Sequence, residues 1–278
     1  MDSVNKHIIE IMSISTDGSV SGYDESFLNN CIQKRVAETG CSTIEEYIDI
    51  LDFSKQERNL LFESLHISYS SFFRNPLTFG ILEKIILPGL FEQRKNTKNN
   101  QIRVWSAACA AGQEPYSLAM LFEELATCNE RNNCYRIFAT DRDEQQIELA
   151  KKGHYHASAL DNMSLKFINK WFRRLGEIYT LKPELKKQIE FSVFDLFDDN
   201  FSSPPTSIFG GFDIVVCANL LFYYKADYRK IILEKIARSM TKNGLLITGE
   251  TEREIVLNYN FREVYPQSAI FSLKSTFK

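Results

Sequence analysis

From Asp24 onward, apolar residues recur every three or four positions. Phe27, Leu28, Cys31, Ile32 and Val36 make one helical stripe behind a capping Asp24. Ser42 with Glu45 reads as a capping box opening a second helix, with Ile44, Tyr47, Ile48 and Leu51 on its inner face. Ser54 with Glu57 repeats the signal ahead of Leu60, Leu61 and Leu65. Three or four short helices without strand patterning therefore fill roughly residues 1–66. The polar and aromatic run His66 to Pro76 reads as a linker into a helix with Pro76 near its first position. After the polar loop Arg94 to Gln101 the period changes. Strands are expected over 102–106, 135–140, 189–194, 212–217 and 244–248, and helices over 113–126, 144–151 and 225–240. The last twenty residues read as two strands turning near Pro266. Strands alternating with helices predict a doubly wound, mostly parallel α/β sheet, with one antiparallel strand at its edge.

Composition narrows the class. The 278 residues are 44% hydrophobic and 25% charged, with net charge −3, an ordinary globular mixture without the basic excess of a nucleic-acid binder. Met1 to Glu10 has no apolar signal-peptide core, and the most apolar stretch, Phe209 to Tyr224, is broken by Asp213 and Asn219 and is too short to span a bilayer. A soluble, cytoplasmic chain without membrane insertion is the expectation. Cys31, Cys41, Cys109, Cys128, Cys134 and Cys217 form no C-x-x-C pair; several sit in apolar runs, as reduced cysteines do. No metal site is expected: His154 and His156 stand two apart in a polar segment with no third ligand and read as surface residues.

In an open α/β sheet, ligands bind beyond the carboxyl ends of the strands. The first such end, Ser106 to Ser117, begins with small residues that let backbone approach a ligand, Ala107 among them, and Gly112 permits a tight turn. An ordinary βα loop fits equally well. The segment is not G-x-G-x-x-G, which disfavours a nicotinamide dehydrogenase, and Ser117 lies outside a G-x-S-x-G elbow. Asp141, ending the second strand, can accept ribose hydroxyls or, with Asp143, cap the next helix. Asp195 can read an adenine amino group or close a turn. Asn219 is as good a turn residue as a ligand contact.

Together these segments resemble the CheR-type chemoreceptor glutamate methyltransferases. S-x-A-C-x-x-G-x-E-P-Y-S-L-A, from Ser106 to Ala119, is similar to that family's signature, and Ser70-Ser71-Phe72-Phe73-Arg74-Asn75-Pro76 resembles its T-x-F-F-R-[DN]-P linker. Phe212 to Tyr224 resembles F-D-x-I-x-C-R-N-V-L-I-Y-F, and Lys242 to Glu252 its P-G-G-x-L-x-x-G-x-S-E turn. The resemblance covers nearly the whole chain, in the right order. It implies a helical domain (1–66), a linker contributing to the cofactor site (67–78) and a methyltransferase domain with a seven-stranded sheet (79–278). It implies S-adenosylmethionine as cofactor and, as partner, the helical cytoplasmic domain of a chemoreceptor whose glutamates receive the methyl group. By position, Ser68, Ser70, Arg74, Ala107, Glu114, Asp141, Asp195, Leu196, Ala218 and Asn219 are expected around the cofactor, and Tyr223 matches the active-site tyrosine, so Arg74 and Tyr223 are the expected catalytic pair. The family's Arg before Asn is Ala218 here, removing a charge and five donors. Gln113 replaces the first of two acids and Thr251 a serine. Gly176 to Lys187 lacks the glycine-rich insertion of members that dock on a receptor's C-terminal peptide, so the untethered type is favoured. Ala218 favours a second reading, a non-catalytic cofactor- or receptor-binding module, and a third is a methyltransferase with another protein acceptor.

Overall fold

The computed structural model describes residues 3–15, 19–65, 70–94, 101–128, 134–208 and 210–274. They fall into two compact units, 1–67 with 221–230, and 68–220 with 231–278.

The first unit is helical, with α1 (Ser3–Ser15), α2 (Glu25–Thr39), α3 (Ile44–Phe53) and α4 (Lys55–Ser64). Asp24 caps α2 as its sequence position suggests, accepting from the Ser26 amide at 3.0 Å. The cap of α3 lies one residue later than the expected Ser42: Thr43 Oγ1 accepts from the Glu46 amide, and Glu46 reaches back to the Ser42 amide at 2.8 Å. Ser54 caps α4 as expected. Ile8, Met12, Leu28, Ile32, Tyr47, Leu51 and Leu61 form the buried core. Within it Glu57 takes a two-pronged bond from Arg35, Nε at 2.8 Å and Nη2 at 2.7 Å, and a third from the Tyr47 hydroxyl at 2.9 Å. The segment 221–230 belongs to this unit. Tyr224 stacks on Tyr23 at 5.0 Å, the Asp24 amide donates to Tyr223 O at 2.8 Å, and the Tyr223 ring lies 4.7 Å from that of Phe27. Gly22 is required here, because a Cβ would stand 2.5 Å from the Tyr228 ring.

The second unit begins with α5 (Pro76–Ile81), capped by Asn75 with Pro76 in its first turn as the sequence indicates, and continues through one wider π-type turn into α6 (Leu87–Arg94). Then β1 (Ile102–Ala107), α7 (Gln113–Cys128), β2 (Tyr135–Asp141) and α8 (Glu144–Lys152) alternate. Next come β3 (His154–His156), α9 (Leu165–Trp171), β4 (Phe172–Leu175), β5 (Ile178–Leu181) and α10 (Pro183–Lys186). The chain ends with β6 (Ile189–Val193), β7 (Phe212–Val216), α11 (Ala226–Ser239), β8 (Met240–Ile247), α12 (Arg253–Leu257), β9 (Phe261–Glu263) and β10 (Ile270–Leu273).

Seven strands form the expected mostly parallel sheet in the order β6-β2-β1-β7-β8-β10-β9. Only β10 is reversed, and it is not at the edge as expected: it pairs antiparallel with β8, and β9 takes the edge beyond it. Side chains from alternate positions cover the two faces. Val104, Ile137, Ala139, Ile189 and Ile214 join Leu118, Leu121 and Phe122 of α7 in one core. On the other face Trp105 packs against Phe194 and Phe212, and its Nε1 donates to Thr140 Oγ1 at 2.9 Å. A second sheet, β3-β5-β4, was not foreseen. His154 and His156 sit on its first strand, both exposed, with Tyr155 buried between them, and a tight turn at Gly176 and Glu177 joins β4 to β5.

Candidate cofactor site at the strand ends

Strand order changes direction at β1, which has β2 on one side and β7 on the other. The crevice at such a switch point is where open sheets hold ligands, and the loops after β1, β2, β6 and β7 start on that side of the sheet. The loop after β1 is tightly folded. Ala108 and Ala110 adopt left-handed φ of 65° and 47°, and Gly112 has φ of 90°. A Cβ on Gly112 would approach that of Ala150 to 2.9 Å, so α7 and α8 pack closely only with glycine there. The Cys109 amide bonds Thr140 O at 2.8 Å, and the Tyr155 hydroxyl holds Ala111 O at 2.7 Å.

Asp141 ties the first two strand ends together. Its Oδ2 accepts from the Ala110 amide at 2.9 Å and its Oδ1 from the Asp143 amide at 3.0 Å. Asp143 itself caps α8, so of the two acids it is Asp143 that takes the cap role. Burial pushes the Asp141 carboxyl up, against the two amides that hold it charged. One amide per oxygen leaves each oxygen a further lone pair, the acceptor pair that adjacent ribose hydroxyls need.

Glu114, in the first turn of α7, accepts from Ser106 Oγ at 2.7 Å. Desolvation, with the nearby Glu252 adding to it, pushes its carboxyl up to about 7; Ser106 and Arg74 pull the other way. Arg74 is exposed, in a linker where Phe73, at φ of 49°, donates its amide to Ser117 Oγ at 3.0 Å. Ser70 is partly buried, and Ser68 lies outside the described residues. After β6, Asp195 Oδ1 accepts from the Phe197 amide at 2.8 Å and closes a turn, while Leu196 is buried. After β7, Ala218 packs against the core and Asn219 turns the chain at a left-handed φ of 61°. Ala107 is fully buried at the end of β1. Tyr223 belongs to the helical unit.

The residue missing from the sequence reading is Glu252. It is fully buried, and its carboxylate collects the amides of Gly249 at 2.7 Å, Asn219 at 2.8 Å and Leu220 at 2.7 Å. A Cβ on Gly249 would come 2.5 Å from Asn219 Nδ2, so acid and glycine together set the turn that presents Asn219. The signal was an acid just past the end of a parallel strand, read only as the last letter of a motif. Cys109 and Cys217 lie close by; burial pushes both thiols up and keeps them protonated and apolar. Among the described residues no cluster of His, Cys, Asp and Glu could hold a metal ion, and no helix is long and apolar enough to cross a membrane.

Residues 68–269 match the family model described as CheR methyltransferase, SAM binding domain. The chain belongs to this family. Among its relatives, a chemotaxis protein methyltransferase of Listeria monocytogenes is 35% identical over 67% of this chain and 66% of its own length. Another of that name, from Borreliella burgdorferi, is 30% identical over 82% of this chain and 79% of its own. A 104.1 kDa protein of Rhodobacter capsulatus is 28% identical over 91% of this chain, which spans only 26% of that longer protein. S-adenosylmethionine is thus the cofactor of this domain, and the donor set fits it: an anchored acid after β2, a second acid after β6 and a partly buried glutamate in the first turn of α7. In this CheR domain the strand ends bring together Ala107, Glu114, Asp141, Asp195, Leu196, Ala218 and Asn219 within one unit.

Proposed function

We propose that this chain is a protein-glutamate O-methyltransferase that uses S-adenosylmethionine to esterify glutamates on the helical cytoplasmic domain of a chemoreceptor-like protein. The observation that carries the reading is Asp141, whose two oxygens each take one amide and keep acceptor capacity at the switch point of the sheet. The names of the Listeria and Borreliella relatives support the choice of acceptor. In this reading Asp141 holds the ribose, and Asp195 and Leu196 flank the adenine. Glu114, with Ser70, Arg74, Ala107, Ala218 and Asn219, surrounds the rest.

When bound, the cofactor supplies both the methyl group and its own leaving group. The acceptor glutamate is ionised near neutral pH, so the protein has no proton to remove. Its contribution is alignment and exclusion of water. Glu114, once ionised, faces a cationic ligand with negative charge. Arg74 is assigned to orientation of the cofactor's reactive end, and Arg74→Ala is expected to lower turnover at saturating substrates. The test is transfer of labelled methyl groups to membranes carrying chemoreceptors. Base-labile labelled product is expected. Base-stable product would point to a different acceptor group. Cofactor binding without any transfer would favour the binding-module reading that Ala218 raises.

A further inference from the structure

Helix α11 carries a lysine where its apolar face should continue. Ile232, Leu233, Ile236 and Ser239 are buried at helical spacing, and Lys235 among them is 4% exposed. Burying an ammonium is costly unless the site compensates it. The compensation here is local and points one way. Lys235 Nζ donates to the carbonyl of Asp198 and lies 5.5 Å from the centroid of the Phe194 ring, whose quadrupole presents a negative face to a cation. Burial pushes the ammonium's pKa down, Asp198, Asp199 and Asp195 push it back up, and Arg238 adds to the lowering. The charge is therefore kept by the segment that follows β6. That segment is already a closed turn: the Asp198 amide bonds Asp195 O at 3.1 Å, and Asp195 Oδ1 takes the Phe197 amide.

We infer that Lys235 is a positioning residue for the adenine end of the cofactor, pinning from behind, through the Asp198 carbonyl and the Phe194 ring, the turn that presents Asp195 and Leu196. The inference rests on the reading above that this turn flanks the adenine. Lys235 itself does not touch the ligand. Its ammonium fixes the far side of a five-residue loop whose near side makes the contact. A merely packed lysine would be replaceable by methionine, which has similar length and no charge. A positioning lysine would not, whereas arginine, keeping the charge and the donors, would serve.

The experiment measures S-adenosylhomocysteine affinity by calorimetry for the full chain and for Lys235→Met, Lys235→Arg and Asp195→Ala, with melting temperature followed in parallel. Lys235→Gln stands in if the methionine variant does not fold. Loss of one charge-assisted bond is expected to weaken binding about tenfold in Lys235→Met, with Lys235→Arg recovering most of it. Steady-state assays should place the loss in the KM for S-adenosylmethionine rather than in kcat. If Lys235→Met lowers the melting temperature but leaves affinity within twofold (while Asp195→Ala loses it), Lys235 is only structural and the inference falls, though the reading of the turn stands. If Asp195→Ala also binds normally, the turn is not the adenine end, and both fall.

Discussion

The two units treat a desolvated glutamate in opposite ways. In the helical unit Glu57 is met by a two-pronged arginine and a tyrosine hydroxyl, and its charge is fully answered. In the sheet unit Glu114 has one serine hydroxyl, the lowering influence of Arg74 and the opposing one of another acid, Glu252, and desolvation pushes its carboxyl up to about 7. Glu252 resembles Glu57 in being satisfied, but by three backbone amides rather than a cation. A structural acid is neutralised by its own fold. An acid left short of partners costs stability and becomes available to a cationic ligand.

Four variants or conditions test this contrast, from the largest effect down. Glu57→Ala leaves Arg35, whose side chain is 13% exposed, with Glu38 alone and takes the acceptor from the Tyr47 hydroxyl, and should cost about 2–3 kcal/mol in urea denaturation. Glu114→Gln should do the reverse. The folded protein holds the Glu114 proton more tightly than the unfolded chain, so the penalty is absent below pH about 4.5 and grows up to about 7. Above that pH the glutamine variant should be more stable by ~2–3 kcal/mol, and calorimetry should show weaker binding of S-adenosylmethionine, whose sulfonium carries the positive charge. Glu252→Gln keeps the shape but offers one carbonyl to three amides, and should lose about 1–3 kcal/mol. It also removes a charge that raises Glu114, so the midpoint of pH-dependent binding should move down. In the unaltered protein, affinity for S-adenosylmethionine should rise severalfold (roughly three- to tenfold) from pH 6 to 8 as Glu114 ionises, then level off, with Glu114→Gln nearly flat.

Much of this was legible in the sequence. Strands with short apolar runs, such as Ile214 to Cys217, and helices with an oxygen cap, such as those behind Asp24 and Ser54, declare themselves locally. The acids Asp141 and Asp195 declared themselves by following a strand. Non-local pairing did not. The strands of the β3-β5-β4 sheet are three or four residues long, too short for a period to show. The final hairpin was visible, but which of its strands would enter the sheet beside β8 depends on partners far along the chain. Ser42 and Thr43 are both capable caps, and the choice of Thr43 follows from where the α3 backbone begins. Glu252 was hidden because its partners are backbone amides, which carry no mark in the sequence.

The most direct test of the central claim is calorimetric titration of the purified chain with S-adenosylhomocysteine, repeated on Asp141→Ala. Binding in the micromolar range, about −8 kcal/mol, that disappears in a variant still folded by circular dichroism is the predicted result. Absence of binding to the unaltered chain, or equal binding to the variant, would contradict the account.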